Sequence, residues 1–336
     1  MLEGFLLSGA CFEHPMWNVF ASRPSSTQKT RNLRCCPDLE LRILSSVSSN
    51  TSRTRGESGY FMDSTVADRQ QRLRLSFDAI AADYERLGFV HACAARLLEL
   101  AHLQHAAHVL DVGTGTGLVA LAAARVVGKE GSVTGLDFSA RMLESAHQQL
   151  ARTNLTNVSF VQGTAENLEF PDLSFDAVLC ASALFFVPDM VQAVREFYRV
   201  LKPGARVGFT SFGTGFLQPV SALLTARLER HGVPPAQPPV ARLADPDACK
   251  QLLEDAGFTD VQVISEQVGY FLTSFGDRWL EIRAGLEGLP LERLPADVVE
   301  RIRQEHEAEL EGLFTAEGLW INVPANFVMG TKPPAL

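Results

Sequence analysis

The residues best placed to do chemistry lie in the stretch 107–120, which reads AHVLDVGTGTGLVA. An apolar run there is followed at once by a turn of alternating residue types: Gly113, Thr114, Gly115, Thr116 and Gly117. Glycines at a strand-to-helix turn let a ligand approach the backbone closely. Asp111, just before the turn, would repel a pyrophosphate but suits a ligand that carries an ammonium group. Asp137 ends the next apolar run, where an acid can accept hydrogen bonds from both ribose hydroxyls.

The elements that would position these residues alternate between strand and helix patterns. Strands are predicted near 108–112, 132–136, 158–162, 175–180, 205–211, 261–264 and 326–332. Helices are predicted over 64–103 and near 117–127, 139–152, 188–201 and 246–256, with N-caps at Ser139 and Asp245 and a break at Pro203–Gly204. This alternation favours an α/β fold with a Rossmann-like, seven-stranded, mostly parallel sheet and helices on both faces.

Between the last two strands lies an insertion, roughly 265–324, whose pattern is mainly helical at 278–286 and 296–314. We expect this insertion, together with the N-terminal helix, to form a lid over the open edge of the sheet. The second of its helices reads RIRQEHEAELEG around His306, and such a run of charges predicts a solvated face.

The glycine spacing separates two classes of ligand. A dinucleotide site usually reads G-x-G-x-x-G, whereas this turn reads G-x-G-x-G and resembles motif I of the class I S-adenosylmethionine (SAM) methyltransferases. The stretch EFYRVLKPGARVGFTSFG at 196–213 resembles the corresponding segment of UbiE-type and methyltransferase-11 enzymes. The resemblance spans about 75–265. It departs from the quinone-methylating UbiE enzymes at Thr210, where they carry a glutamate, and after Tyr84, where their Tyr-Asp-x-Met-Asn signature is missing.

The resemblance implies that SAM is the cofactor and that the glycine turn packs against its methionine part. Asp137 would hold the ribose, and Phe138 would pack beside the adenine. Thr164 stands where the family usually has an aspartate that receives the adenine amino group, and a hydroxyl oxygen can still accept that bond. Ala165 and Glu166 follow, and Glu166 is either a rival acceptor or an exposed loop acid.

The methyl-donor end of the site is assigned on the same resemblance. An aromatic residue of the segment before the glycine turn, Phe77 or Tyr84, would close over SAM, with simple helix packing as the alternative. Cys180 and Leu184 follow the fourth strand, and the carboxyl ends of strands are where ligands lie in open α/β sheets. They would therefore border the methyl donor.

The methyl acceptor is predicted from the apolar residues near that edge. Phe185 and Phe186 replace the imidazoles that the family often has there, so no residue stands out as a general base. With Tyr270, Trp279 and Trp320 they could form apolar walls, which favours an aromatic or lipid-like acceptor. Core packing is the alternative for the two phenylalanines.

These observations predict an enzyme that transfers a methyl group from SAM to a small molecule. A catalytically silent SAM-binding or interaction protein is the main alternative, and the glycine spacing disfavours an NAD-type oxidoreductase. SAM binding with and without methyl transfer, and NAD binding, would separate the three.

Composition limits the partners and the location. The formal net charge is -9, which disfavours general nucleic-acid binding. No apolar run reaches the roughly 18 residues of a membrane span. The cysteines lack metal-ligand spacing, so no metal is expected, and reduced thiols fit a cytoplasmic protein.

Residues 1–61 differ from the rest in being rich in serine and without periodicity. We expect a disordered or spurious N-terminal extension, followed by a methyltransferase domain over 62–336. An organellar transit peptide is the less favoured alternative, suggested by the Ser- and Thr-rich, acid-free stretch 42–55.

Overall fold

The computed structural model describes residues 66–235 and 238–335, and the predictions for 1–61 lie outside them. The strands are β1 His108–Val112, β2 Ser132–Asp137, β3 Val158–Gln162, β4 Phe175–Cys180, β5 Leu201–Phe212, β6 Thr259–Gln267, β7 Tyr270–Leu272, β8 Phe314–Thr315, β9 Gly318–Ile321 and β10 Pro324–Thr331. Seven of them form one sheet in the order β3-β2-β1-β4-β5-β10-β6. The first five pair in parallel, and β10 is antiparallel to both of its neighbours. The predicted fold class is confirmed.

Helices pack against this sheet and against one another. The α-helices are α1 Val66–Ile80, α2 Gly88–Ala101, α3 Leu118–Val127, α4 Ala140–Leu150, α5 Met190–Val200, α6 Val220–Arg230, α7 Pro246–Asp255, α8 Phe275–Ala284 and α9 Ala296–Leu310. Over the described ranges, no helix is both long and apolar enough to cross a membrane.

The centre of the sheet explains why the glycine turn lies where it does. Val109 and Leu110 of β1 are fully buried, as expected for a parallel strand covered on both faces. The parallel register pairs Asp111 with Gly135 and Val112 with Leu136. The carboxyl ends of β1 and β2 therefore meet at one edge, and the residues that follow each strand face a common space.

Two predicted helix starts are confirmed in detail. The Ser139 hydroxyl accepts a hydrogen bond from the Met142 amide at 3.0 Å and caps α4. Asp245 caps α7 by accepting from the Asp247 amide at 3.0 Å, with Pro246 at the first helical position. Both caps satisfy amides that a helix leaves without an internal partner.

Two predictions about local structure were wrong, and one helix was missed. The helical pattern over 64–103 is interrupted by the short 3-10 helix Tyr84–Arg86, which lies between α1 and α2. Pro203–Gly204 does not separate helix from strand, because β5 already begins at Leu201 and takes up the irregularity where Gly204 has φ 78°. Helix α6 was not predicted from the sequence.

The insertion is only partly helical. Besides α8, α9 and the 3-10 helix Leu286–Arg293, it contains a three-stranded sheet in the order β7-β9-β8. Phe314 lies in this small sheet and not at the end of a helix. Strands of two to four residues carry too little alternation to be recognised in a sequence.

His306 was predicted to lie on a solvated face, and it is completely buried instead. Its ring lies 6.1 Å from the Phe275 ring, between centroids. Ile302 and Leu310, four residues before and after it, are also fully buried, so α9 has a core-facing stripe at helical spacing. The abundance of charges on the other faces of α9 obscured that stripe.

Candidate active site

A cavity opens at the carboxyl edge of the sheet, where β1, β2 and β4 end. It occupies about 1070 Å³ including its open mouth, a size suited to a small-molecule ligand. The glycine turn forms its floor, with Asp111, Gly113, Thr114, Gly115 and Thr116 on the lining. Gly117 does not line the cavity but precedes the first residue of α3.

The turn is fixed to the neighbouring strand by backbone hydrogen bonds. The amides of Gly113 and Thr114 both donate to the Leu136 carbonyl, at 2.8 and 3.0 Å. Gly113 has φ 71°, and a Cβ there would lie 2.5 Å from the Cβ of Ala183. Only glycine therefore fits this position, since both the backbone angle and the Ala183 side chain in the loop after β4 exclude a Cβ.

Asp111 is a buried carboxylate on the cavity. It is 1% exposed, and its Oδ2 accepts a hydrogen bond from the Thr114 hydroxyl at 2.7 Å. Its Oδ1 finds no hydrogen-bond partner among the described residues. Burial raises the pKa of Asp111 to about 7, although the Thr114 hydroxyl and the Ala120 amide oppose the shift. An oxygen of this kind is compensated by a ligand that brings a positive charge or a donor.

Asp137 is a second buried carboxylate and ends β2. Its Oδ2 accepts from the Gly115 amide and its Oδ1 from the Ser139 amide, both at 2.9 Å. Burial raises the pKa of Asp137 to about 6, and these amides oppose the shift. Each oxygen retains a lone pair for a further donor, so the carboxylate is held in place and can still receive ligand hydroxyls.

One end of the cavity is formed by the loop that follows β3 and by the residue that directly follows β2. Phe138, Thr164, Ala165 and Glu166 line it, as the sequence predicted for the adenine end. Helix α1 also contributes Gln70 and Leu73, which the sequence analysis missed. With Phe77 they are spaced at i, i+3 and i+7, and this stripe is the signal that could have identified them.

Four aromatic rings meet over the cavity, and we call Phe77, Tyr84, Phe138 and Phe186 the aromatic roof. The Phe77 ring lies at the centre, with its centroid 6.4, 6.0 and 5.0 Å from those of the other three, in edge-to-face geometry. Burial holds the pKa of the Tyr84 hydroxyl above its usual value, and a nearby Asp137 adds to the shift. Tyr84 therefore stays neutral near physiological pH.

Cys180 lines the cavity below this roof. Burial also raises the pKa of its thiol well above the usual range, so Cys180 stays protonated. Neither Cys180 nor Tyr84 is thus available as a base near neutral pH.

The predicted acceptor walls are only partly brought together. Phe186 lines the cavity, whereas Phe185 is buried and does not. Leu184, which was predicted to border the methyl donor, is also buried and does not line the cavity. Their backbone turns through the 3-10 helix Leu184–Phe186, which points successive side chains in different directions.

Three aromatic residues of the insertion do not line the cavity either. Tyr270 donates its hydroxyl to Glu281, and Trp279 stacks on Phe275 at 6.1 Å between centroids. Trp320 is 37% exposed on the small sheet and lies beside Phe271. Each of these side chains has a partner within the insertion, and Tyr270 and Trp279 also pack against residues outside it.

Arg242 is a supporting residue that the sequence did not indicate. Its Nη1 donates to the Phe185 and Val187 carbonyls at 3.0 and 2.7 Å, and its Nη2 donates to the Pro188 carbonyl at 2.9 Å. Val187 and Pro188 line the cavity next to Phe186. The guanidinium thereby holds the loop that follows Phe186 on the cavity lining.

A seven-stranded sheet with a glycine turn and two acids at its carboxyl edge defines the Rossmann-like class of SAM-binding enzymes. Residues 109–204 match a family model described as a methyltransferase domain. Over 233 residues the chain is 31% identical to the demethylmenaquinone methyltransferase of Listeria monocytogenes serotype 4a, a match that covers 62% of this chain and 96% of the relative. It is 32% identical over 216 residues to the enzyme of that name from Geobacillus kaustophilus, covering 58% of this chain and 92% of the relative.

Among solved structures, the YcgJ protein from Bacillus subtilis superposes with a TM-score of 0.51 at 25% identity, covering 73% of this chain and all of that one. The chain belongs to the class I SAM-dependent methyltransferases. It uses SAM to methylate a small-molecule acceptor, and the relatives do not favour a catalytically silent protein. The predicted family, enzyme class and cofactor are confirmed.

Proposed function

We propose that the cavity binds SAM in one defined orientation. The observation that carries this proposal is the pair of buried carboxylates on one lining, one of which has an oxygen without a partner among the described residues. Asp111 would face the ammonium group of SAM beside the glycine turn, and Asp137 would receive the ribose hydroxyls. Phe138, Thr164, Ala165 and Glu166 would surround the adenine, which places the sulfonium below the aromatic roof near Cys180.

The acceptor we propose is aromatic or lipid-like. The acceptor side of the cavity is formed by Phe77, Phe186 and Val187, which are apolar. The relatives are named as acting on demethylmenaquinone, which supports an aromatic acceptor. At the place of the UbiE glutamate, however, Thr210 accepts a hydrogen bond from the Ser182 amide at 2.7 Å and is fully buried. This chain has no carboxylate at that place to bind an acceptor, so we do not assign the quinone itself as the acceptor.

The residues of the chain would bind and orient, and SAM supplies an electrophilic methyl group when it is bound. Cavity residues would hold the acceptor in line with the bond to be broken and exclude water from it. Because Tyr84 and Cys180 stay protonated, we assign no general base. The acceptor would therefore present a nucleophilic atom that needs no proton removal by a side chain, or one that ionises by itself.

The experiment that tests this function is turnover of SAM by the purified full chain. S-adenosylhomocysteine formation would be followed with a panel of acceptors: a short-chain demethylmenaquinol, simple phenols and thiols, a fatty acid, and a sugar. We expect turnover with aromatic or lipid-like members and none with the sugar. Turnover with the sugar alone would contradict the acceptor class, and SAM binding without turnover of any acceptor in the panel would contradict an aromatic or lipid-like acceptor.

We also propose that the insertion acts as a lid by supporting the roof. Leu286 and Leu289, in the 3-10 helix Leu286–Arg293, pack on the cluster of Phe77, Ile80 and Met142. The insertion thus presses α1 and its Phe77 onto the cavity without lining it. Its effect on acceptor choice would be indirect, through the position of the roof.

The domain that carries this function would extend from residue 62 to 336. The strands of the seven-stranded sheet and the described residues that line the cavity fall between positions 70 and 331, inside the compact unit Met62–Leu336. A chain that begins at Met62 should therefore melt within a few degrees of the full chain and keep its SAM affinity. Calorimetry on both proteins would check this, and a large drop in melting temperature would show that 1–61 contributes to stability.

The two acids predict how SAM binding depends on pH. Burial raises their pKa values to about 7 and about 6 from 3.8, so below pH 6 both are largely protonated in the free protein. Binding an ammonium group and two hydroxyls favours the ionised forms, so SAM should bind more tightly as pH rises from 5.5 to 8, with proton release. Titration calorimetry in two buffers of different ionisation enthalpy would measure the SAM affinity and the number of protons released. Asp111→Asn should make the SAM affinity less dependent on pH.

The folding stability of the free protein should depend on pH in the opposite direction to SAM affinity. Each acid holds its proton in the folded state over a pH range in which the unfolded chain has lost it. The stability that these two groups contribute is therefore complete below about pH 4 and is lost as pH rises through about 6 and 7. The difference in melting temperature between wild type and Asp111→Asn should follow this direction, and an opposite trend would contradict the assignment.

We propose further that the protein acts in the cytoplasm and not on nucleic acid. Its net charge of -9 opposes a phosphate backbone. Cys93, Cys180 and Cys249 are buried free thiols, as expected in a reducing compartment. Fractionation of cells that express the full chain, and turnover assays with DNA and RNA, would test both points.

A further inference from the structure

The insertion contacts the rest of the fold at the turn that carries Tyr84. Glu281 of α8 is 6% exposed, and its Oε1 accepts hydrogen bonds from the Gly88 amide at 3.2 Å and from the Tyr270 hydroxyl at 2.5 Å. Gly88 is the first residue of α2. One buried carboxylate oxygen thus links α8 and β7 of the insertion to Gly88, which lies two residues after the 3-10 turn Tyr84–Arg86.

The fit around this contact is close. A Cβ on Gly88 would lie 2.7 Å from Cζ of Tyr270, so only glycine lets the turn approach the ring. On the other side, Leu87 packs against the end of α8, where a Cβ on Gly285 would lie 3.3 Å from the Leu87 Cδ2. The turn is therefore held by packing on both sides as well as by the hydrogen bond.

The turn itself is short and internally bonded. Tyr84–Arg86 is a 3-10 helix, and the Leu87 amide donates to the Tyr84 carbonyl at 3.2 Å. A displacement of Gly88 therefore reaches Tyr84 within four residues, with no flexible segment between them. Tyr84 lines the cavity and contacts Phe77 of the roof.

We propose that Glu281 is a positioning residue that sets the place of Tyr84 on the SAM cavity by holding the Gly88 amide. The inference rests on the proposed contact between Tyr84 and SAM. It gives the insertion a role in cofactor binding in addition to its role as a lid. Loss of the Glu281 oxygen would leave the Gly88 amide without its partner and free the turn to shift.

A double-mutant cycle on the full chain, with SAM affinity measured by calorimetry, tests the proposal without any acceptor. Glu281→Leu removes the acceptor oxygen and should raise the Kd for SAM at least about fivefold, whereas Glu281→Gln keeps an oxygen and should stay within about twofold. Tyr84→Ala should weaken SAM in the wild type but add less than about twofold in the Glu281→Leu background. Thr164→Ala, at the other end of the cavity, should keep its full effect in both backgrounds.

A matched control separates positioning from general loosening of the insertion. Glu309→Gln weakens the pair between Glu309 of α9 and Arg227 of α6, which does not touch the turn. It should lower the melting temperature and leave the SAM Kd within about twofold. Hydrogen exchange at the Gly88 amide should accelerate in Glu281→Leu and not in Glu309→Gln.

The outcomes distinguish two failures. If Tyr84→Ala alone leaves the SAM Kd unchanged, the proposed role of Tyr84 is wrong, and the inference falls with it. If Tyr84→Ala weakens SAM binding but the effects of the two substitutions are additive, the role of Tyr84 stands and that of Glu281 is wrong. The same conclusion follows if Glu309→Gln weakens SAM binding as much as Glu281→Leu does. Should Glu281→Leu fail to fold, Glu281→Ala takes its place in the same cycle, since it removes the same acceptor oxygen from the Gly88 amide without adding a branched side chain.

Discussion

Asp137→Ala is expected to weaken SAM binding by at least about tenfold. Hydrogen bonds to a charged group contribute roughly 1.5–3 kcal/mol, and a factor of ten corresponds to about 1.4 kcal/mol. The Asp137 carboxylate is oriented by the amides of Gly115 and Ser139 before any ligand arrives. A ribose would therefore meet a fixed pair of acceptors and would not have to order them.

The measurement is the SAM Kd by titration calorimetry, with circular dichroism to show that the variant is folded. Asp176→Asn is a matched control. Asp176 lies near the amino end of β4, opposite the edge that carries the cavity, and pairs with Lys202 at 2.8 Å. That variant should bind SAM as the wild type does. An Asp137→Ala protein that is folded and binds SAM with unchanged affinity would remove Asp137 from the site.

The part of the cavity that we assign to SAM could be located from the sequence because it is built locally. A strand, a glycine turn and a helix follow one another between Val109 and Val127, and each can be recognised by its own pattern. Parallel strands then bring their carboxyl ends to one edge, so Asp111, Asp137 and Thr164 had to face a common space. The structure places all three on one cavity lining.

The acceptor half could not be predicted in the same way because it depends on contacts between distant segments. Nothing in the local sequence distinguishes an aromatic residue that lines a cavity from one that packs elsewhere, as Trp279 does against Phe275 and the cluster with Leu224. Gln70 reaches the cavity from α1, which is held there by contacts with α4 and with the 3-10 helix Leu286–Arg293. Glu281 and Gly88 meet across 193 positions of sequence.

Phe186→Ala should lower activity and Trp279→Ala should lower stability, although the sequence suggested similar roles for both residues. Phe186 lines the cavity and meets Phe77 edge-on. Burying a phenylalanine side chain contributes roughly 1.5–3 kcal/mol, so Phe186→Ala should lower the acceptor's kcat/KM by about tenfold or more. The SAM Kd should change by less than about threefold, since the carboxylates and the glycine turn are untouched.

Trp279 packs against Phe275 and against the cluster of Leu224, Ile282 and Ile302, away from the cavity. Truncation of a buried aromatic residue costs about 3–5 kcal/mol, and Trp279 is half-buried, so its loss should lower the melting temperature by a smaller but clear amount. Steady-state kinetics well below that temperature should match the wild type. If Trp279→Ala instead lowers kcat/KM as strongly as Phe186→Ala while the protein stays folded, the insertion acts on the acceptor directly and not through the roof.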